Sequence, residues 1–217
     1  MANPGPGRPR LAERRRPGTT PRAEILDAAG ELFTTDGYAN TSTRRIADAV
    51  GIRQASLYHH FATKDDILDA LLADTVADAL ALAERLVVAG DRAAARLYAL
   101  VTFDVGQLCA SRWNLGALYL LPELRSERFA AFRERRDQLR RHYVTIAGRV
   151  LADLGGAPGD GLTELPFRLV ETTISIRSDG GTAPDWAVDT IPVAALRILG
   201  WSGDVAAVQA DAAALLD

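Results

Sequence analysis

The sequence predicts an all-α protein with a small N-terminal unit and a larger C-terminal helical bundle. Three observations predict this fold class. Apolar residues recur at three- and four-residue spacing along most of the chain after Pro21. Gly, Pro and small polar residues divide this pattern into segments of helix length. No stretch of useful length alternates between apolar and polar residues, which argues against strands.

The first three predicted helices are short and closely spaced. The ring of Pro21 suits a first helical turn, Ser42 is a favourable N-cap, and Gly51 breaks the second helix. The predicted limits are Pro21 to a stop at Asp36-Gly37, Thr43 to Val50, and about Arg53 to His60.

The helical pattern continues to the end of the chain. Thr63 is predicted to cap a helix from Lys64 to about Ala89, and Asp91 to open one of about twenty residues. A Gly-Pro-rich stretch, 155–161, reads as a loop. The other predicted helices are Trp113–Leu121, Ser126–Leu154, and segments near 164–178, 187–201 and 203–216.

Three parts follow from this pattern: a disordered basic arm at 1–20, a small helical domain at 21–66, and a larger helical domain at 67–217. The arm is rich in Pro, Gly and Arg and cannot build a core. It either adds phosphate or minor-groove contacts or is a solvated tail.

Charge is distributed unevenly between the two ends of the chain. The net charge is −3, yet residues 1–64 carry a balance of +4 and residues 65–217 a balance of −7. A basic front end is typical of a protein that meets phosphates, although a chance imbalance is the alternative. The single cysteine, Cys109, excludes an intrachain disulfide and favours a reducing, cytoplasmic setting. Without an apolar run of about 18 residues, no membrane partner is expected.

Two short helices joined through Val50-Gly51-Ile52 have the size of a helix-turn-helix. The region also carries a spaced run of specific residues: Phe33…Gly37-Tyr38…Thr41-Ser42-Thr43…Ile46-Ala47…Gly51-Ile52…Leu57-Tyr58-His59-His60-Phe61…Lys64…Leu68. Over about residues 20–70 this run closely resembles the DNA-binding region of the TetR (tetracycline-repressor) family, whose signature is Leu-Tyr-x-x-Phe followed three residues later by Lys. The resemblance implies a three-helix, helix-turn-helix DNA-binding domain followed by a helical ligand-binding and dimerisation bundle.

Candidate DNA contacts lie at the starts of the second and third helices. Capping by Ser42 leaves the amides of the second helix near a phosphate. In the recognition helix, Gln54 suits adenine and Arg53 suits guanine. Together with contacts that the resemblance implies, the candidate set is Ser42, Thr43, Arg44, Arg53, Gln54, Ala55, Ser56, Tyr58, His59, His60 and Lys64.

Some of these residues also have other interpretations. Tyr58 could belong to the core, as Phe61 is expected to, and only one of Arg44 and Arg45 is expected to face DNA. His59 and His60 point about 100° apart on a helix, which makes a poor chelate, so no metal is expected. Arg53 stands where most family members place Ser or Thr as the helix cap. We expect it to offset the lost cap, worth about 1 kcal/mol, through a DNA contact.

The resemblance implies a ligand cavity among the middle helices and a homodimer formed by the last long helices. Bulky or polar residues are expected to wall the cavity, although any of the aromatic ones could be plain core: Phe103, Gln107, Trp113, Tyr119, Tyr143, Glu171, Ser175 and Arg177. Arg177 pairs either with an anionic ligand or with Asp179 or Glu171. The expected dimer seam comprises Leu165, Leu169, Thr172, Thr173 and Ile176, with Val188, Ile191, Ala195, Leu196 and Leu199. Pro166 and Pro192 are expected near the starts of these two helices.

The predicted function is a transcriptional regulator that binds double-stranded, palindromic operator DNA as a dimer and, as a repressor, is released by a small molecule. An enzyme is disfavoured because the chain lacks a glycine-rich phosphate loop, a plausible Ser/His/Asp order and paired histidines at metal spacing. Cys109 is expected to pack, and no cofactor is expected. A non-specific nucleoid protein conflicts with the acidic C-terminal part, and a helical adaptor without DNA binding would leave Gln54, Tyr58 and Lys64 idle.

Overall fold

A computed structural model describes residues 16–90, 92–157 and 161–216 of the 217-residue chain. Within these ranges all regular structure is helical and no strand occurs, so the predicted all-α class is confirmed. The α-helices are α1 (Pro21–Thr35), α2 (Thr43–Val50), α3 (Gln54–Tyr58), α4 (Lys64–Val88), α5 (Ala93–Ala110), α6 (Ala130–Asp153), α7 (Leu165–Gly180), α8 (Ala187–Ile198) and α9 (Val205–Ala213). Short 3-10 helices cover Leu115–Leu120, Pro122–Arg125, Glu127–Phe129 and Leu162–Glu164.

The chain divides into two compact units, Met1–Leu68 and Asp69–Asp217, and the boundary falls inside α4. Most of the predicted N-terminal arm, residues 1–15, lies outside the described residues, as does Asp91. The described part begins at Arg16, whose guanidinium pairs with Asp27 at 3.0 Å and Glu31 at 2.5 Å. Its Nε also donates to the carbonyl of Ala49 at 3.3 Å, so Arg16 ties α1 to the end of α2.

The first unit is built from α1, α2 and α3 around a small apolar core. Thr20 caps α1, because its hydroxyl accepts from the backbone N–H of Ala23 at 3.2 Å. The apolar face predicted for α1 is buried, and α1 packs against α2, which packs against α3. The fully or nearly fully buried apolar side chains of these helices are Ile25, Ala28, Ala29, Phe33, Ile46, Ala47, Val50 and Leu57.

In the second unit, α5 is the central helix and packs against α6, α7, α8 and α9. Leu97, Leu100, Val101 and Val105 on α5 are fully buried. Cys109 is partly buried against the same core, as expected for a packing residue, and burial raises the pKa of its thiol. Among the described helices, none combines the length and apolar character needed to cross a bilayer.

The chain between α5 and α6 departs from the prediction. In place of a helix from Trp113 to Leu121, it forms 3-10 helices over Leu115–Leu120 and Pro122–Arg125, and α6 begins at Ala130 rather than Ser126. The amide of Asn114 donates to the carbonyl of Ile174 and to the hydroxyl of Ser178, both at 2.9 Å. These long-range bonds hold the start of the segment against α7, and Pro122, which lacks an N–H, interrupts any continuous helix.

The expected dimer seam is wrong for several residues. Thr173, Ile191, Ala195, Leu196 and Leu199 are at most 4% exposed within a single chain. They fill the core between α5, α7 and α8, so they have no surface left for a second copy. Pro192 also lies inside α8 rather than in its first turn, whereas Pro166 does stand at the start of α7.

Candidate functional site

The turn between α2 and α3 is set by one glycine. Gly51 has φ 78°, a left-handed conformation that favours glycine, and its N–H donates to the carbonyl of Ala47 at 2.9 Å. The N–H of Ile52 donates to the same carbonyl at 3.0 Å. These bonds end α2 sharply and allow α3 to begin at Gln54, which gives the two helices a helix-turn-helix arrangement.

Three polar side chains at this turn, the exposed Gln54 and Tyr58 and the half-buried Thr43, are hydrogen-bonded to one another. Gln54 donates through Nε2 to the hydroxyl of Thr43 at 3.0 Å and to the hydroxyl of Tyr58 at 3.2 Å. The two hydroxyls are 3.1 Å apart. We call Thr43, Gln54 and Tyr58 the reading cluster. It brings the first turn of α2 and both ends of α3 onto one polar surface.

Exposure decides the open choice for Tyr58 and tests the core position expected for Phe61. Tyr58 is 47% exposed, and Phe61 is 4% exposed. Tyr58 is therefore a surface residue, while the prediction that Phe61 belongs to the core is confirmed.

The start of α2 separates two neighbouring arginines. Ser42 caps the helix as predicted, since its hydroxyl accepts from the N–H of Arg45 at 3.2 Å. Arg45 forms an ion pair with Asp36 at 2.6 Å. Arg44 is exposed, with no hydrogen bond or ion pair to any part of the chain that the structure describes. Arg44 is thus the one of the two whose guanidinium is available to a partner.

The recognition helix α3 is shorter than the predicted span of 53–60. Arg53 is its N-cap residue, with extended backbone and no side-chain cap bond. The carbonyl of Leu57 accepts from the N–H of both His60, at 2.9 Å, and Phe61, at 3.0 Å, which closes the helix after Tyr58. Arg53, Gln54 and Ala55 are exposed and Ser56 is half-buried.

Lys64 has a structural role that the sequence did not indicate. Its ammonium donates to the carbonyl of Tyr38 at 2.8 Å and lies 4.0 Å from the centroid of the Tyr38 ring. The buried Tyr38 in turn donates to the carboxylate of Asp65. Lys64 therefore fixes the turn after α1 and keeps its other ammonium hydrogens for further contacts.

The N-terminus of α4 carries the predicted cap. The hydroxyl of Thr63 accepts from the N–H of Asp66 at 3.1 Å, and the carboxylate of Asp66 accepts from the N–H of Thr63 at 2.8 Å. Near this cap, His59 and His60 are both exposed. In the described ranges no cluster of three His, Cys, Asp or Glu side chains could hold a metal ion.

The second unit contains a cavity of about 170 Å³. Two of the eight predicted ligand residues, Gln107 and Arg177, line it. Two more, Tyr119 and Glu171, line an adjoining void of about 20 Å³ that shares Thr75 and Leu108 with the larger cavity.

The other four predicted ligand residues lie elsewhere. Tyr143 is fully buried, as expected for plain core, and its hydroxyl donates to the carboxylate of Asp104 at 3.0 Å. Phe103 borders a different surface pocket, and neither Trp113 nor Ser175 lines the two adjoining spaces. Trp113 is covered by Arg112, at 4.6 Å from its ring centroid, and Ser175 is exposed.

Sequence reasoning missed other polar residues around these spaces. Asp74 and Thr75 on α4 line the larger cavity, and Asp104 and Arg136 line the smaller void. Asp104 could have been noticed, because an acidic residue interrupts the strongly apolar run of α5. Burial raises the pKa of Asp104 to about 7, against the opposing effect of the Tyr143 hydrogen bond.

These observations define a class: the first unit is a helix-turn-helix of the kind that presents its second helix to nucleic acid. Residues 25–71 match the family described as bacterial regulatory proteins, tetR family. The transcriptional repressor KstR2 of Rhodococcus jostii is 32% identical over 185 residues, which cover 82% of this chain and 88% of the relative. The chain belongs to the TetR family and is a DNA-binding transcriptional regulator.

Solved structures agree with this assignment. The crystal structure of Mycobacterium smegmatis AmtR is similar with a TM-score of 0.90 and 60% identity, over 94% of this chain and 98% of that one. The structure of the ketosteroid transcriptional regulator KstR2 of Mycobacterium tuberculosis has a TM-score of 0.68 at 23% identity, over 87% of this chain and 97% of that one. At this lower identity the likeness concerns the fold.

Proposed function

We propose that this regulator is a ligand-responsive repressor that binds a palindromic operator as a homodimer and is released by a small molecule. The observation that carries the proposal is the reading cluster, an exposed and mutually hydrogen-bonded set of donors and acceptors on α2 and α3. Relatives named as transcriptional repressors support the repressing mode. A dimer supplies two recognition helices, which suits a palindrome.

The proposed contacts divide into base readers and phosphate contacts. Gln54 and Arg53 at the start of α3 suit adenine and guanine edges, and the methyl of Ala55 suits a thymine methyl. The half-buried Ser56 contributes less. The residues proposed to contact phosphate or the groove edge are Ser42, Thr43, Arg44, Tyr58, His59, His60 and Lys64.

We place the effector in the cavity of about 170 Å³ in the second unit, which is lined by Gln107, Arg177 and residues of α4. A ligand changes DNA affinity only if it binds better to one conformation than to another. The helix α4 begins in the first unit and continues into the second. A change in the tilt of α4 is therefore the simplest way for a bound ligand to affect DNA binding.

The test is selection of bound DNA from a random pool by the purified full-length protein, followed by titration of the selected site. A palindromic consensus bound at least about a thousandfold more tightly than random DNA is the expected result. Gln54→Ala should change the base preference in both half-sites, whereas Arg45→Ala, which removes an arginine already paired with Asp36, should not. Selection of no consensus would contradict the proposal.

A further inference from the structure

The cavity that Arg177 lines holds a buried positive charge that forms no ion pair with any carboxylate of the described residues. Arg177 is 7% exposed. Its two terminal nitrogens donate to main-chain carbonyls at the end of α5, those of Leu108 and Ser111. Its Nε is buried, and no hydrogen-bond partner for it occurs among the described residues. Burial lowers the pKa of this guanidinium.

The two acidic residues that were expected as possible partners of Arg177 do not pair with it. Glu171 is instead bound by two other arginines, Arg136 and Arg168, the latter at 2.8 Å. Asp179 is exposed and forms no ion pair with Arg177. Since a buried charge is costly unless it is paired, the guanidinium of Arg177 favours an anionic partner in this cavity.

A negative charge also borders this cavity. Asp74 on α4 lines the cavity, is itself exposed, and has no ion pair within the part of the chain that the structure describes. Gln107 lines the same cavity, and its Oε1 is buried and accepts no hydrogen bond from any described residue. A carboxylate and a free amide oxygen together suit a donor group with several N–H bonds.

We propose that this cavity binds a small zwitterion, with its carboxylate against Arg177 and its ammonium against Asp74 and the Oε1 of Gln107. A free amino acid with a short apolar side chain fits this chemistry, because Leu108 and Leu115 supply the apolar part of the wall. The size also fits: about 170 Å³ is the volume of about six water molecules in the liquid, and an apolar cavity of about 150 Å³ accommodates benzene. The inference rests on the proposed function for its link to DNA release.

The ligand half of the proposal is tested by calorimetric titration of the full-length protein. The probes are the twenty free amino acids with β-alanine and γ-aminobutyrate, followed by the methyl ester and the N-acetyl derivative of the tightest binder. The parent should bind at least about tenfold more tightly than either derivative, because each lacks one charge-assisted hydrogen bond. If no probe binds, or if a derivative binds as well as its parent, the proposal is overturned.

The site is tested by two variants on one helix. Asp74→Asn should weaken the tightest binder by about tenfold or more. Asp78→Asn is the matched control, an exposed aspartate one turn further along α4 that does not line this cavity, and it should change the affinity less than twofold. Equal effects of the two variants would overturn the assignment of Asp74.

Release of the operator by the tightest binder is measured in a separate titration. The proposed zwitterion site and the proposed ligand-responsive function can then fail independently. Charge-dependent binding that releases the operator supports both. Charge-dependent binding with unchanged operator affinity supports the zwitterion site and contradicts its role as the effector site.

Discussion

The polar groups of the reading cluster and those of the cavity differ in their exposure to water and in whether they are hydrogen-bonded to one another. Thr43, Gln54 and Tyr58 come from one short stretch of chain, lie in water and satisfy one another. The spaces in the second unit collect polar groups from α4, α5, α6 and α7, several of them buried. A polar group that stays in water until its partner arrives costs the fold little, while a buried one lowers stability unless it is fully paired.

This contrast leads to a division of effects. Substitutions in the reading cluster should change DNA affinity and leave stability nearly constant. Substitutions around the cavity should change stability first.

The largest effect is expected at Asp104. Its folded pKa of about 7 lies above the ordinary value of 3.8, so the folded state binds the proton more tightly than the unfolded state. The resulting decrease in the free energy of unfolding is absent below about pH 3.8, grows as the pH rises towards 7, and is constant above pH 7. It amounts to about 4 kcal/mol. Asp104→Asn should therefore be more stable than the wild type at pH 8, by urea denaturation across this pH range.

A control of opposite sign is available for that measurement. Arg140 lowers the pKa of Asp137 through a hydrogen bond, so the stability from Asp137 is lost as the pH falls through its folded pKa. Asp137→Asn should consequently be less stable than the wild type at neutral pH, and the difference should disappear as the pH falls into the acid range. A parallel pH profile for the wild type and Asp104→Asn would show that Asp104 titrates normally.

The next effect concerns the packing of the cavity wall. Gly116 lines the cavity, and a Cβ there would come within 2.6 Å of the side chain of Ile174. Gly116→Ala should lower the free energy of unfolding by about 2 kcal/mol. Gly148→Ala in α6 is the matched control, because a Cβ there meets no atom within 4 Å, and it should instead raise stability by about 0.5–1 kcal/mol. Equal changes would contradict the tight approach at Gly116.

The reading cluster should show the reverse behaviour. Gln54→Ala should weaken binding to the selected operator by about tenfold or more. Its free energy of unfolding should stay within about 0.5 kcal/mol of the wild type. Tyr58→Phe removes the hydroxyl shared by the cluster, and a double-mutant cycle for operator binding should give a coupling energy of about 0.5 kcal/mol or more. Additive effects would mean that the cluster does not act as a unit on DNA.

The same contrast explains which parts of the molecule the sequence predicted. The limits of α1 and α2 and the turn at Gly51 follow from residues next to them in the chain, namely Pro21, Ser42 and Gly51 itself. The 3-10 segment after α5 could not be predicted in this way, because the bonds from Asn114 reach α7, sixty or more residues away. A local pattern carries no information about such a partner.

The site residues divide along the same line. The turn signals and the family signature lie close together in the chain, so they pointed directly to the surface that Thr43, Gln54 and Tyr58 share. The cavity is lined by both Asp74 and Arg177, which are far apart in the sequence of the second unit. Helical periodicity marks both as polar positions without indicating that they meet, and it cannot separate a core tyrosine such as Tyr143 from a ligand contact.

The smallest effect is expected at Arg53. Substitution of this one residue tests both the stability of α3 and the contact with DNA. Arg53 is the N-cap of α3 but makes no cap bond. Arg53→Ser supplies a hydroxyl and should raise the free energy of unfolding by about 1 kcal/mol. If the guanidinium of Arg53 contacts DNA, the same variant should bind the operator more weakly, and the slope of log affinity against log salt should fall by about 1. Arg53→Ala separates the two effects, because it removes the guanidinium without adding a cap and should weaken operator binding and lower the slope while leaving the free energy of unfolding nearly unchanged. Unchanged stability in Arg53→Ser would show that α3 needs no cap, and an unchanged slope in both variants would remove Arg53 from the DNA interface.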